Sequence, residues 1–555
     1  MTISTHTTVD NPLAMLVAIY DIYAMGARHI HAALCGAGYN ADLLFFQQTL
    51  RKEGVKYTYR RRHAPAWPEG DDYRALADLL SERRPAVVGI SLRSFAMDMA
   101  REITRIAHEA CGATVVWGGT HPTLLPEECV DYADVVCVGE GEGPLVDIVR
   151  AVSEDRPFDD IENLWIKKTQ GEVIKNPLRP LLQDLDSLPF PVLEQEGKFF
   201  IEGGGLYRHD PYLLPGRPLD YSVIASRGCP YKCSFCSNDA LRQVYSGLGK
   251  YYRARTPQNI ISELKQAVQC LNVRTVSFQE ENFSTRCQWY EELFGLYKKE
   301  IGLPFAVELH PNSVDENFAK AAKEAGAYSV AMGIQSGSED VRHNLFCRPG
   351  PNRKILAAVR AFHEQGMALW LDLIFNNPFE RSEDMQQNIE LILSLPMPYN
   401  LKMYSLCYLP RTGLTDRALR EGFITEDMLD QYSKLGATEL MASYHNAISR
   451  EHAFYMTLAW ASILKFSRKN LRFTFFSNDV SGGKHVVPRS FLRKASRSNF
   501  LRKHPQLLHA FLAFMDGPAN RSLVILRKRR ALIRTARQRD WQKIRKKAAG
   551  LFKRG

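Results

Sequence analysis

Tyr221-Ser-Val-Ile-Ala225 is a short apolar run of strand type, and Cys229-Pro-Tyr-Lys-Cys233-Ser-Phe-Cys236 follows it directly on a loop. Three thiolates within eight residues can converge on one metal centre. A structural zinc site takes four protein ligands, usually as two dyads. No second Cys or His pair lies at suitable spacing, and Cys270 and Cys287 stand alone. Three thiolates suit a [4Fe–4S] cube in which one iron is left open. A zinc knuckle with a distant fourth ligand is the alternative reading of the same residues.

Outward from that loop, strand-like runs at 221–225, 275–279, 305–309, 328–334, 369–375 and 402–407 alternate with helical spacers. Six βα units over 221–415 predict a partial (β/α)6 barrel with its function at the carboxyl ends of the strands. Upstream, runs at 13–20, 41–46, 85–91, 114–117 and 134–138 predict a Rossmann-like α/β domain over 10–150. Residues 151–220 are rich in Pro and Gly and read as a connector. Residues 416–525 read as a helical region that caps the cavity, where Tyr444, His445, His452, Tyr455 and Trp460 offer aromatic and polar contacts. Residues 526–555 form a basic tail.

The 555 residues are 45% hydrophobic and 24% charged, which excludes a disordered or collagen-like chain. The tail holds thirteen Lys/Arg against one acid, Asp540, for +12, so against the whole-chain +11 the first 525 residues stand at −1. An electrostatic partner, an anionic membrane surface or a nucleic acid, would therefore meet the tail; a solvated or packed basic helix is the preferred reading. Eleven scattered cysteines argue against a disulfide framework. No uncharged run reaches the ~18 residues of a membrane span, and the first residues lack secretory-signal order. The expected location is the cytoplasm.

The CxxxCxxC spacing, its place after the first strand and the barrel context resemble the radical S-adenosylmethionine (SAM) enzymes. In that family the open iron chelates SAM, and the reduced cluster cleaves it to a 5′-deoxyadenosyl radical. The resemblance implies that Cys229, Cys233 and Cys236 hold the cluster, that the backbone of Phe235 faces the adenine, and that an electron donor such as flavodoxin or ferredoxin serves it. Ser277-Phe-Gln-Glu-Glu-Asn-Phe283 stands where relatives carry acids near the methionine amino group, which implies Glu280 and Glu281. Met332-Gly-Ile-Gln-Ser-Gly-Ser-Glu339 resembles the GIESGSE segment and implies SAM contacts for Gln335 and Ser336, with Gln335 in place of the usual acid. Leu373-Ile-Phe-Asn-Asn-Pro-Phe-Glu380 resembles FIFGLPGE, with Asn376 and Phe379 where glycines are usual. Glu308, His310 and Asn312 follow the third barrel strand and are expected to face the cavity.

Asp21-Ile-Tyr-Ala-Met-Gly26, after the first strand of the chain, resembles the D-x-H-x-x-G segment of cobalamin-binding domains, with Tyr23 in the histidine position. A phenol with a pKa near 10 is a poor neutral ligand, so cobalt without a histidine ligand is expected. His29 and His31 lie on the following helix and are expected to point elsewhere. The resemblance extends to Ser91, to Gly118, Gly119 and His121, and to Gly139 and Glu140 of a VGEGE segment, all implied to meet cobalamin. The whole resembles a cobalamin-dependent radical SAM methyltransferase acting on an unactivated carbon of a natural-product or lipid-like small molecule. Two alternatives stay open: a radical SAM cyclase, oxidase or rearrangement enzyme that uses or has lost cobalamin, and an iron–sulfur sensor or nucleic-acid-binding protein.

Overall fold

The computed structural model describes residues 13–47, 70–168, 171–429, 450–463, 465–466, 485–486, 489–498 and 501–502. Apolar runs of five or six residues open the chain as parallel strands: β1 (Ala14–Ile19), β2 (Ala41–Phe46), β3 (Val87–Ser91) and β4 (Thr114–Gly118), with a shorter β5 (Val135–Cys137). They are buried almost throughout, because helices cover both faces, and an apolar cluster lies on each. Residues 151–220 differ from a plain connector. They contribute β6 (Leu164–Lys167), β7 (Val173–Lys175), β8 (Lys198–Glu202) and β9 (Gly205–Tyr207), two strands at each edge. The resulting nine-stranded sheet has the order β7-β6-β5-β4-β3-β1-β2-β8-β9. β8 runs parallel to β2, whereas β6, β7 and β9 pair antiparallel with their neighbours.

The second sheet is six-stranded and wholly parallel, with neighbours in chain order: β10 (Leu219–Val223), β13 (Val273–Phe278), β14 (Phe305–Leu309), β15 (Ala327–Gln335), β16 (Ala368–Phe375) and β17 (Asn400–Ser405). A separate small antiparallel pair, β11 (Ser226–Arg227) and β12 (Arg253–Ala254), falls between β10 and β13 in the chain. This is the partial (β/α)6 barrel. Its strands alternate: Phe305, Val307 and Leu309 of β14, and Leu369, Leu371 and Leu373 of β16, are buried against the helices. Glu308, Trp370 and Asp372 take the other face. Truncating Leu371 to Ala would cost about 2–5 kcal/mol, the usual range for a fully buried leucine.

Buried charge fastens the segment between β9 and β10 to the first sheet's helices. Arg28 of the helix Met25–Gly36 donates to both oxygens of Asp210, at 2.5 and 2.9 Å. Burial alone would raise the Asp210 pKa, but the Arg28 guanidinium pulls it down to about 2. The helix Arg450–Ile463 packs on Ser382–Ser394, with the ring Nε2 of His452 3.1 Å from the Asn377 carbonyl. Tyr444, His445, the Trp460 side chain and the basic tail lie outside the described residues. No helix among the described residues is long and apolar enough to cross a membrane.

Candidate active site

The loop after β10 is shaped before it carries any chemistry. Gly228 has φ +77°, and a Cβ there would meet the Tyr251 carbonyl oxygen at 2.4 Å, so only glycine makes the turn into Cys229. Arg242 then donates to the Tyr231 carbonyl at 2.7 Å and to that of Cys229. Ser234 N donates to Phe346 O at 3.0 Å, and Leu414 N to Ser234 O at 2.9 Å. Cys236 stands at the N-cap position of the helix Ser237–Val244, so its thiol adjoins the positive end of that helix.

Cys229, Cys233 and Cys236 line one cavity with about 700 Å³ of empty space, part of it open to solvent, at the carboxyl ends of β13 to β16. Arg348 also lines it, donating to Cys233 Sγ at 3.3 Å and to the Gly333 carbonyl at 2.6 Å. Burial pushes the Cys229 thiol up, and that of Cys236 to about 11, so metal binding must displace protons. Among the described residues no three His, Cys, Asp or Glu side chains converge on a single-ion site. A cube asks for a different arrangement, since its three thiolates each bond a different iron. The donor set, three thiols beside a guanidinium and a helix N-terminus, fits an anionic iron–sulfur cluster.

Of the residues implied for SAM, Phe235, Glu281 and Gln335 line this cavity. Phe235 stands edge-on to Phe346, with ring centroids 4.9 Å apart. Glu280 and Ser336 turn inward instead. Glu280 accepts from Ala225 N at 2.7 Å, and burial raises its pKa to about 8. Ser336 donates to Glu380 at 3.1 Å, and burial raises that carboxyl to about 7. Asn376 takes φ +56°, the left-handed conformation of the glycine usual there, which Asn tolerates.

Glu308, on β14, and His310, just after it, line the cavity as expected, whereas Asn312 does not and donates to the Pro349 carbonyl at 2.5 Å. Burial raises Glu308, and raises Asp372 to about 6, with Lys402 opposing in both cases. His310 is driven down to about 2 by burial and by Arg348 and Arg342. Tyr231, Arg348 and Asp372 were missed by sequence reasoning. Asp372 alternates with buried leucines on β16, a readable signal; Arg348 follows a π-helical turn at Val341–Leu345 and has none.

The residues implied for cobalamin gather at the carboxyl edge of the first sheet, where strand order reverses between β3 and β1. Asp21 accepts from Tyr23 N and Ala24 N at 3.0 and 2.9 Å, shaping the turn, and Arg93 from beyond β3 donates to it at 2.8 Å. Tyr23 stands edge-on to Tyr212, with centroids 4.8 Å apart. Ser91 is exposed at the strand end, and nothing lies within 4 Å of where a Cβ would stand on Gly26. A Cβ on Gly119, beside Gly118, would meet the Leu92 carbonyl oxygen at 2.9 Å. His121 is 1% exposed; its Nδ1 meets Ser94 Oγ at 3.0 Å, and its Nε2 lies 3.7 Å from a Glu128 carboxylate oxygen. His29 and His31 are both buried in packing, His31 against the Ala41 carbonyl at 3.0 Å. An open glycine at Gly26, an exposed Ser91 and the buried imidazole of His121 along one edge fit a large polar cofactor.

Gly139 and Glu140 lie where the two sheets meet. A Cβ on Gly139 would strike Tyr245 Oη at 2.4 Å. Glu140 pairs with Arg227 at 3.2 Å and Arg253 at 2.9 Å, and Glu142 with Arg227 at 2.5 Å. Arg227 stands two residues before Cys229, so the loop after β5 is bonded to the strand that leads into the thiols.

Comparison with known proteins agrees with this division. The B12 binding domain model matches residues 13–149, and the Radical SAM superfamily model matches 223–392. An uncharacterized methyltransferase of Pyrococcus horikoshii is 28% identical over 355 residues, covering 63% of this chain and 72% of that protein. The cytidylyl-2-hydroxyethylphosphonate methyltransferase of Streptomyces wedmorensis is 25% identical over 365 residues, covering 59% of this chain and 64% of that one. The solved radical SAM methyltransferase TsrM of Kitasatospora setae, with cobalamin and a [4Fe–4S] cluster bound, shares the fold at TM-score 0.59 and 20% identity, over 74% of this chain and 78% of that one.

Proposed function

We propose, from the premise that this chain belongs to the radical SAM enzymes that carry a cobalamin-binding domain, that it moves a methyl group onto an unactivated carbon of a natural-product or lipid-like small molecule. The observation that carries this reading is the bonding of Glu140 and Glu142, after β5, to Arg227 and Arg253 beside the cysteine loop, which holds the two cofactor edges together. When bound, the cluster and SAM supply a radical that removes hydrogen, and cobalamin carries the methyl group.

The chain's own part is holding and orienting. Cys229, Cys233 and Cys236 hold the cluster, and Arg348 offsets its charge. Of the residues lining the cavity, Glu281 would receive the amino group of SAM, Gln335 would offer it a neutral hydrogen bond, and the backbone of Phe235 would border the adenine. Glu280 and Ser336 support that wall from behind. Asp21, Tyr23, Gly26, Ser91, Gly118, Gly119 and His121 form the cobalamin edge, while Gly139 and Glu140 join it to the cluster loop. Glu308 and Asp372 are left to face the substrate inside the half-barrel. A flavodoxin or ferredoxin in the cytoplasm would supply electrons.

Protein reconstituted anaerobically with iron, sulfide and cobalamin, and supplied with a low-potential chemical reductant, should convert SAM to both S-adenosylhomocysteine and 5′-deoxyadenosine. 5′-Deoxyadenosine without S-adenosylhomocysteine would overturn methyl transfer in favour of a cyclase, oxidase or rearrangement.

A further inference from the structure

His310 follows β14 and caps a single 3-10 turn, Pro311–Ser313. Its Nδ1 accepts from the backbone N–H of Asn312 at 3.1 Å. A backbone amide only donates, so Nδ1 carries no proton and the ring proton sits on Nε2. That Nε2 has no hydrogen-bond partner, although the residue is only 4% exposed. A buried donor with nothing to donate to is destabilising, and native folds keep few of them without a reason.

The surroundings of the ring supply the reason. His310 lines the cavity of the three cysteines. It stacks on Tyr231, which lies between Cys229 and Cys233, with centroids 3.7 Å apart and planes at 16°. The cap alone does not call for an imidazole, since an Asn there would accept the same N–H. What the ring adds is a rigid N–H beside the cysteine loop.

We propose that His310 Nε2–H donates a hydrogen bond to an anionic acceptor of the bound cofactors, either a sulfur of the cluster or the carboxylate of SAM. The proposal rests on the cluster-and-SAM reading above. A donor to cluster sulfur stabilises the reduced, more negative state and raises the potential. A donor to the carboxylate holds SAM in place. In either case His310 contacts a cofactor directly and takes no proton from the substrate.

The test uses the reconstituted full chain and two variants. His310→Asn keeps the cap and withdraws the donor; His310→Gln carries an amide N–H further toward the cavity. Iron content, circular dichroism, the cluster midpoint potential without SAM, and the SAM dissociation constant are measured for each. Wild-type protein that assembles no cluster would refute the family reading rather than this one. Given a wild-type cluster, a more negative potential in His310→Asn, partly restored in His310→Gln, identifies cluster sulfur as the acceptor. An unchanged potential with SAM binding weakened about tenfold identifies the carboxylate. Unchanged potential and affinity in His310→Asn would overturn the proposal. So would a His310→Asn that fails to fold, because the ring would then serve the fold.

Discussion

At the cluster end of the molecule one loop of eight residues carries all three thiols, whereas at the carboxyl edge of the first sheet four separate loops contribute between one and three groups each. The cysteine loop is fastened by Gly228, by Arg242 on two carbonyls, and by backbone bonds to Phe346 and Leu414. The other edge is stitched from loop to loop, by Arg93 to Asp21, by His121 to Ser94, by Leu92 N to the Gly118 carbonyl and by Gly139 N to Thr123 Oγ1. A ligand set within one loop depends on that loop's geometry, so single changes there should be severe. A set spread over several strand ends shares the work, which is compatible with a tyrosine standing in the usual place of a histidine.

Three substitutions would break or sharpen this contrast. Arg348→Met removes the cation beside Cys233 and should lower SAM cleavage about a hundredfold while cobalamin binding stays within about twofold. An equal fall in both would mean that the two ends act as one unit. Gly228→Ala should destabilise the fold by about 1–3 kcal/mol and reduce iron loading. Gly26→Ala, which meets open space in a helix, should instead gain about 0.5–1 kcal/mol in thermal unfolding yet weaken cobalamin binding. Stability changes of the same sign in these two would erase the distinction.

The smallest effect concerns pH. Glu280 sits behind the cluster wall with its pKa raised from 4.5 to about 8. The folded state therefore binds its proton more tightly than the unfolded chain does. Its contribution to stability is full below about pH 4.5 and declines as pH rises toward 8. Glu280→Gln should flatten that decline in chemical denaturation; a slope equal to wild type would place the pH dependence elsewhere.

Much of this was legible in the sequence. The strands of the half-barrel and of the first sheet's parallel core lie within a few residues of their apolar runs, because buried parallel strands are continuous hydrophobic stretches. The cysteines were legible because their spacing is local. The four strands of 151–220 were hidden by their brevity and by the Pro and Gly around them, and β8 pairs with a strand some 150 residues earlier. Arg348 reaches Cys233 across 115 positions, and no local pattern announces such a contact. Glu280 and Glu281 look alike in sequence. Only packing separates the one bonded behind the wall from the one lining the cavity.

The most direct test replaces Cys229, Cys233 and Cys236 together with alanine and assays anaerobically purified, reconstituted protein for iron, cobalamin and 5′-deoxyadenosine. The account predicts loss of iron and of SAM cleavage with cobalamin still bound. Iron retained at wild-type level together with continued 5′-deoxyadenosine formation would contradict it.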